Sequence, residues 1–292
     1  LKPDFAEAHS NLGNILRDLG NLEEAKVCFS NALSLKSDLD MALMGRGQLF
    51  FDSGEYDLAL KDADSCDTKE SRVFALETLY ALGRIDEIYK RIDQTSELDE
   101  ENIRMAAFTS FISEQEKKPT SHNFCQNPMS FLNFSNLKFH LNNYVDLINE
   151  IISELRDVKT IWQPPKKTTK NGFQTPSNMN LFSKSAPKIS QLKSIILKEI
   201  DSYYLQYKQE SCTYIQKWPS NKKLVAWHVI LKKQGYQDAH IHPDGWLSGV
   251  IYLKVVPSLH KNEGAIEFSL NGVNYSNTKS PQLTYQPELG DI

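Results

Sequence analysis

The 292-residue sequence has no long apolar run. Its longest uninterrupted hydrophobic stretches fall far short of the ~20 residues that a membrane-crossing helix needs, which argues against a helical membrane protein. No charged-then-apolar signal segment opens the chain. The first residues, Leu1-Lys2-Pro3-Asp4, read as the middle of something, so a cut N-terminus is expected. Cysteine is sparse: Cys28, Cys66, Cys125 and Cys212 lie far apart and form no CxxC pair. A disulfide framework is therefore not expected, and the four read as reduced, mostly buried thiols of a cytoplasmic protein. Arginine is absent from residues 224–292. What is present is ordinary for a globular protein, with 40% hydrophobic and 24% charged residues. The length suggests about two domains at roughly 150 residues each.

Charge is unevenly spread. Residues 1–118 carry 14 Lys and Arg against 24 Asp and Glu, whereas residues 159–223 carry 12 Lys against 3 acids. Such asymmetry marks separate domains. The lysines are scattered through residues 159–223 with no short basic run, so they read as a solvated surface and not as a nucleic-acid face.

The first 95 residues repeat with a period of 34. Gly13, Leu16, Gly20, Ala25, Phe29 and Ala32 are followed at that interval by Gly47, Phe50, Gly54, Ala59, Ala63 and Cys66. Small residues at 13, 25, 32, 47, 59 and 63 let two helices cross closely, and large ones at 16, 29 and 50 fill the gaps between layers. Gly20 and Gly54 fall where the first helix of a pair turns sharply into the second. A worn third unit keeps Leu79, Gly83 and Ile88 in register, but only 29 residues separate Gly54 from Gly83. Helical periodicity continues over residues 100–116, with Ile103, Ala106, Ala107 and Phe111 on one side. It stops at Lys117-Lys118-Pro119, so residues 117–136 read as a linker or a loop packed on the next domain.

Leu137–Leu155 predicts a helix with Leu141, Val145, Ile148, Ile151, Ile152 and Leu155 inward. Residues 188–209 predict another, with Ile189, Leu192, Ile195, Ile196, Ile200, Tyr203, Tyr204 and Tyr207 as a core stripe. Between them Trp162–Thr175, with Pro164, Pro165 and Gly172, reads as irregular. From Leu224 the texture changes to short β-runs: 225–231, 247–256, 264–268 and 273–275, with turns at regular spacing that favour a barrel or sandwich.

The chemistry-bearing stretch is Gln237–Leu253. His240, His242 and Asp244 occupy alternate positions, which in an extended chain share one face. Pro243 places the segment at a strand end, an edge or a bulge, and Trp246–Leu253 reads as a buried strand. A His-x-His or His-x-Asp pair before a core strand suits two of the three protein ligands of a non-haem iron. His228, flanked by apolar residues, reads as structural or pocket-lining, and His260 as exposed.

Two resemblances follow. Asn11-Leu12-Gly13-Asn14 and Gly20-Asn21-Leu22-Glu23-Glu24-Ala25 resemble the tetratricopeptide (TPR) repeat, strongly over 6–39 and well over 40–67. Leu1-Lys2-Pro3-Asp4 looks like the end of an earlier repeat. Residues 1–116 then imply an α-helical solenoid that offers a protein- or peptide-binding surface. Lys167-Thr168-Thr169, Gly172–Thr175, His240-Ile241-His242-Pro243, Gly245–Val250, Tyr252-Leu253, Glu263–Phe268 and Pro287–Ile292 resemble the 2-oxoglutarate/Fe(II)-dependent oxygenase family that often follows such repeats. That resemblance implies, for residues 137–292, a double-stranded β-helix (jelly roll) using Fe(II), 2-oxoglutarate and O₂ to hydroxylate a C–H bond, with succinate and CO₂ released. The implied fold class is α+β, with the β-helix incomplete at its C-terminus.

The iron ligands stay open among His242, His240 and Asp244, in that order of preference, one imidazole being an alternative support or substrate contact. Trp246, Ser248 and Tyr252 of the matched run are expected at the cosubstrate site. In the family a third ligand, a histidine, follows the Pro-x-x-Gly-Asp signal, and an arginine beyond it clamps 2-oxoglutarate. Here the signal is Pro287–Ile292, at the end of the sequence, so the chain is expected to be an inactive fragment. Two alternatives remain: a non-catalytic scaffold with a metal-free barrel, and a cupin-like enzyme using its metal as Lewis acid. No residue selects the substrate.

Overall fold

The computed structural model describes residues 5–164, 167–183, 186–256 and 262–292. The readings made on Leu1–Asp4, Pro165-Lys166 and His260 lie outside the described residues.

The N-terminal region is helical: α1 (Ala6–Asp18), α2 (Leu22–Leu35), α3 (Asp40–Asp52), α4 (Tyr56–Asp64), α5 (Lys69–Ala81), α6 (Ile85–Thr95) and α7 (Ile103–Glu116). Three helix pairs turn at Gly20, Gly54 and Gly83, whose φ values are +86°, +77° and +71°. A Cβ at any of the three would meet nothing within 4 Å. The left-handed backbone alone therefore demands glycine there. Phe29 is fully buried, and Gly13 and Gly45 both face its ring. Gly47, one repeat further on, serves the α3–α4 crossing: a Cβ there would meet Asp62 Cβ at 3.4 Å and Ala59 O at 3.6 Å, with the Phe74 ring at 3.2 Å. Two forked ion pairs tie the repeats together, one between α3 and α4 and one between α5 and the turn that precedes α7. Arg46 donates to both Asp62 oxygens (2.8 and 2.7 Å), and Arg72 to both Asp99 oxygens (2.8 Å each).

The predicted one-sided stripe on α7 is a wrap-around core surface. Met105, Ala106, Phe108, Thr109, Ser110, Phe111 and Ile112 are all buried. Phe108 and Phe111 join the core of α4–α6, while Ala106 joins Phe124, Cys125, Tyr203, Tyr214 and Ile215. A helix buried on two faces is one packed between two cores. Residues 117–136 are irregular, with one 3₁₀ turn at Pro128–Phe131, and their Phe124 and Cys125 are buried in that second core. All four cysteines are free.

The helix expected at 137–155 is a 3₁₀ turn (Leu137–Phe139) followed by α8 (Tyr144–Arg156). Its inward face carries Leu147, Ile148 and Ile151, and Val145 is exposed. Then come β1 (Ile161–Trp162), β2 (Thr169–Gln174), α9 (Pro187–Tyr207), α10 (Thr213–Gln216), β3 (Val229–Gln237), β4 (Ile266–Ser269) and β5 (Gln282–Tyr285). The tyrosines of α9 are core residues: Tyr203 packs on Tyr207, Tyr214 and Trp218.

The five described strands form two small antiparallel sheets, β1-β2-β3 and β4-β5. This is less than a jelly roll. The reading of Trp162–Thr175 as wholly irregular is corrected, because Thr169–Gln174 is β2. Two predicted strands are also corrected. Residues 247–256 have no ladder, and Leu247 and Val250 are exposed. Only Tyr252 pairs, its N–H donating to Asp291 O (3.0 Å) and its carbonyl accepting from Gly290 N–H (2.8 Å). A β-prone run becomes a strand only where a neighbour supplies backbone groups. Residues 273–275 form part of the β4–β5 loop, and Tyr275 is buried against α7.

Candidate metal and cosubstrate site

β3 ends at Gln237, and the two histidines follow on the loop leaving it. His240 Nδ1 lies 2.7 Å from Asp238 O, which fixes that ring close to the strand end. The His240 and His242 rings meet edge to face, 4.8 Å between centroids. The Trp227 ring packs on His242, 5.3 Å between centroids. Burial, then the neighbouring His240, hold the His242 imidazolium below its ordinary pKa. A neutral imidazole is the form that ligates a metal.

The third member of the triplet is placed differently. Gly245 N–H donates to His242 O (3.0 Å), closing a turn over Pro243 and Asp244. The alternate-face rule of an extended chain stops at that turn. Asp244 is exposed, and among the described residues no group of three His, Cys, Asp or Glu side chains is arranged to hold a metal. The geometry therefore brings together His240 and His242 and leaves Asp244 outside the pair.

Trp246, Ser248 and Tyr252 are spread along the unpaired run. Trp246 is pinned to the helices: its indole N–H donates to Tyr214 O (3.0 Å) and its ring meets Phe124 edge-on. Ser248 is exposed. Tyr252 is half-buried, and burial followed by the nearby Asp291 charge pushes its phenol pKa up. His228 is paired with Thr175, whose Oγ1 lies 3.0 Å from His228 Nδ1, across the β2–β3 end. A cleft of about 800 Å³ among α4, α5 and α6 shares no residue with the motif. Its Arg91 is paired with Asp64 and Glu87.

Sequence reasoning missed Trp227 as the support of His242, and it missed what Asp291 does. The Asp291 carboxylate accepts from Asn136 Nδ2 (2.7 Å), Tyr285 OH (2.7 Å) and Glu288 N–H (2.6 Å). Ser135 and Ile292 exchange both backbone hydrogen bonds, and Leu137 N–H donates to Gly290 O. The Gly-Asp signal was visible, but its partner Asn136 lies 155 residues upstream and carried no motif.

Comparison with known proteins gives two matches. Residues 225–292 match the family described as "Putative 2OG-Fe(II) oxygenase", and residues 6–39 match the tetratricopeptide repeat. No curated protein matches the chain.

Proposed function

We propose, from the premise that the chain carries a tetratricopeptide repeat at residues 6–39 and an oxygenase-family segment at residues 225–292, that it is an Fe(II)/2-oxoglutarate-dependent hydroxylase whose repeats serve protein interaction. The observation that carries this reading is the half-buried His240–His242 pair, 4.8 Å between rings, inside the matched segment. His242 and His240 are the proposed protein ligands of the metal, with Asp244 third in preference. Trp246, Ser248 and Tyr252 are the proposed cosubstrate contacts. The two small sheets are read as parts of a double-stranded β-helix, residues 137–292 as the oxygenase unit and 1–116 as the repeat unit, in a cytoplasmic protein. Fe(II) with 2-oxoglutarate and O₂ would supply oxidation of a substrate C–H bond. The protein's own part is to orient His240 through Asp238 O, to keep His242 neutral by burial, and to pack Trp227 against it.

A metal-free scaffold is the second reading, favoured by the absence of a three-donor group among the described residues. Anaerobic titration with Fe(II), followed by absorbance and calorimetry with and without 2-oxoglutarate, separates the two. Saturable binding that is lost in both His240→Ala and His242→Ala supports the oxygenase reading. Absence of binding, or binding unchanged by both substitutions, leaves the scaffold. Asp244→Ala then shows whether the carboxylate takes part.

A further inference from the structure

The β4–β5 loop reaches across α3 and α5, the first helices of two successive repeat pairs, and across α7, the helix that follows them. On α3, Gln48 Nε2 donates to Asn274 Oδ1 (3.4 Å). On α5, Glu77 Oε2 accepts from Asn274 Nδ2 (2.7 Å). On α7, Gln115 Nε2 donates to Ser280 Oγ (2.9 Å), while its Oε1 accepts from Asn277 Nδ2. Between these polar contacts Tyr275 is 5% exposed and enters the aromatic floor made by Tyr80, Phe108 and Phe111. Its ring centroid lies 5.1 Å from that of Phe108 and 4.7 Å from that of Phe111. The side chains that turn inward, Asn274, Tyr275, Asn277 and Ser280, are all uncharged. Val273, Ser276, Thr278 and Lys279 face outward.

The loop is shaped for this seat. Gly272 N–H donates to Tyr275 O (2.8 Å), and Asn277 N–H donates to Asn271 Oδ1 (2.9 Å). A Cβ on Gly272 would stand 2.4 Å from the Tyr275 ring, so only glycine leaves room for the folded-back tyrosine. A single buried aromatic anchor flanked by amide contacts is how a groove recognises a short segment.

We infer that the α3/α5/α7 face is a peptide-binding groove, that it selects an uncharged segment with a tyrosine anchor flanked by asparagines, and that the chain's own residues 270–280 occupy it in cis. An outside segment of the same chemistry must displace the loop to enter. Occupation from within the same chain acts at an effective concentration of order millimolar. The intact chain should therefore bind a free copy at least roughly tenfold more weakly than a chain whose loop is released. The inference is independent of the oxygenase reading, because its readout is peptide binding and not turnover.

The test uses a labelled synthetic peptide of residues 270–280, its Tyr275→Ala version, and three proteins: the intact chain, Tyr275→Ala and Gly272→Ala. Expected is binding by both variants, at least tenfold tighter than by the intact chain, and no binding of the peptide that lacks tyrosine. Equal binding by intact chain and variants overturns the inference, and so does a helical, folded variant that binds nothing. Should both variants lose their helical circular dichroism, hydrogen exchange on the intact chain decides. Millimolar peptide must speed exchange of the loop amides of Gly272 and Asn277, and unchanged exchange overturns the inference.

Discussion

His122 is 3% exposed, although it opens no strand or helix and sits in a stretch of low hydrophobicity. Its Nε2 lies 2.9 Å from Asp99 O and its Nδ1 3.4 Å from Thr109 Oγ1, so the ring bridges α7 and the residues before it. Burial depresses its pKa, against smaller opposing effects of the Asp99 carbonyl and of Asp99 and Glu100. The sign of the consequence is fixed. The folded imidazole resists protonation, and the unfolded one takes up a proton near pH 6.5. Stability from this group is complete above about pH 6.5 and is lost as pH falls below it. Urea midpoints between pH 8 and pH 5 should decline with acid in the native chain. His122→Gln should flatten that decline, even where it lowers stability at every pH. Phe29 makes the complementary point about size. The close approach of Gly13 and Gly45 to one ring couples three positions, and only two of the three were visible as a repeat.

Helix α9 shows how an element can depend on a distant residue. Its N-cap, Ala186, offers no side-chain oxygen, and Pro187 occupies the first turn. The carboxylate of Glu154 on α8 accepts instead from Lys188 N–H (3.0 and 3.1 Å) and Ile189 N–H (2.9 Å). Negative charge at a helix N-terminus, joined to hydrogen bonds from otherwise orphan amides, is worth about 1–2 kcal/mol. Glu154→Ala should lower unfolding free energy by about that amount, with Glu154→Gln between it and the native chain, measured by urea denaturation. By contrast α5 caps itself, with Thr68 and Ser71 bonded reciprocally. That kind of start is legible in sequence, and the start of α9 is legible only through its Pro187.

At the scale of the whole molecule, Asp291 ties its own stretch of chain, residues 285–291, to Asn136, 155 residues upstream. It holds the Tyr285 hydroxyl, the Glu288 amide and the Asn136 amide. Next to it, Gly290 adopts φ +86°, and a Cβ there would press on Asn136 and Tyr144 at 3.2 Å. Asp291→Ala removes one acceptor from three donors, and an unpaired buried group costs about 1–3 kcal/mol. A loss of about 2–4 kcal/mol in total is expected, with faster hydrogen exchange at the Leu137 and Tyr252 amides while α1–α6 stay protected. Uniform loss of protection would show instead that the two regions unfold together. α7, buried on both sides, is the element through which they would be coupled.

The sequence by itself determined the repeat helices, their glycine turns, the long helices α8 and α9, and the histidine-bearing stretch with its family likeness. These are local properties: a 3.6-residue period, a left-handed backbone at Gly20 and Gly54, and a contiguous motif carry their own signal. Only the tertiary structure decided that the Leu247–Val256 run lacks a ladder, that the turn at Pro243 parts Asp244 from His240 and His242, and that Tyr275 is an anchor and not a strand residue. The Pro243 turn is closed by a local hydrogen bond from Gly245 to His242 that no hydrophobic pattern announces; the other two depend on distant chain, a backbone neighbour for Leu247–Val256 and helices 160 or more residues upstream for the Tyr275 loop. Pairwise contacts of that range leave no period or spacing in the sequence to be read.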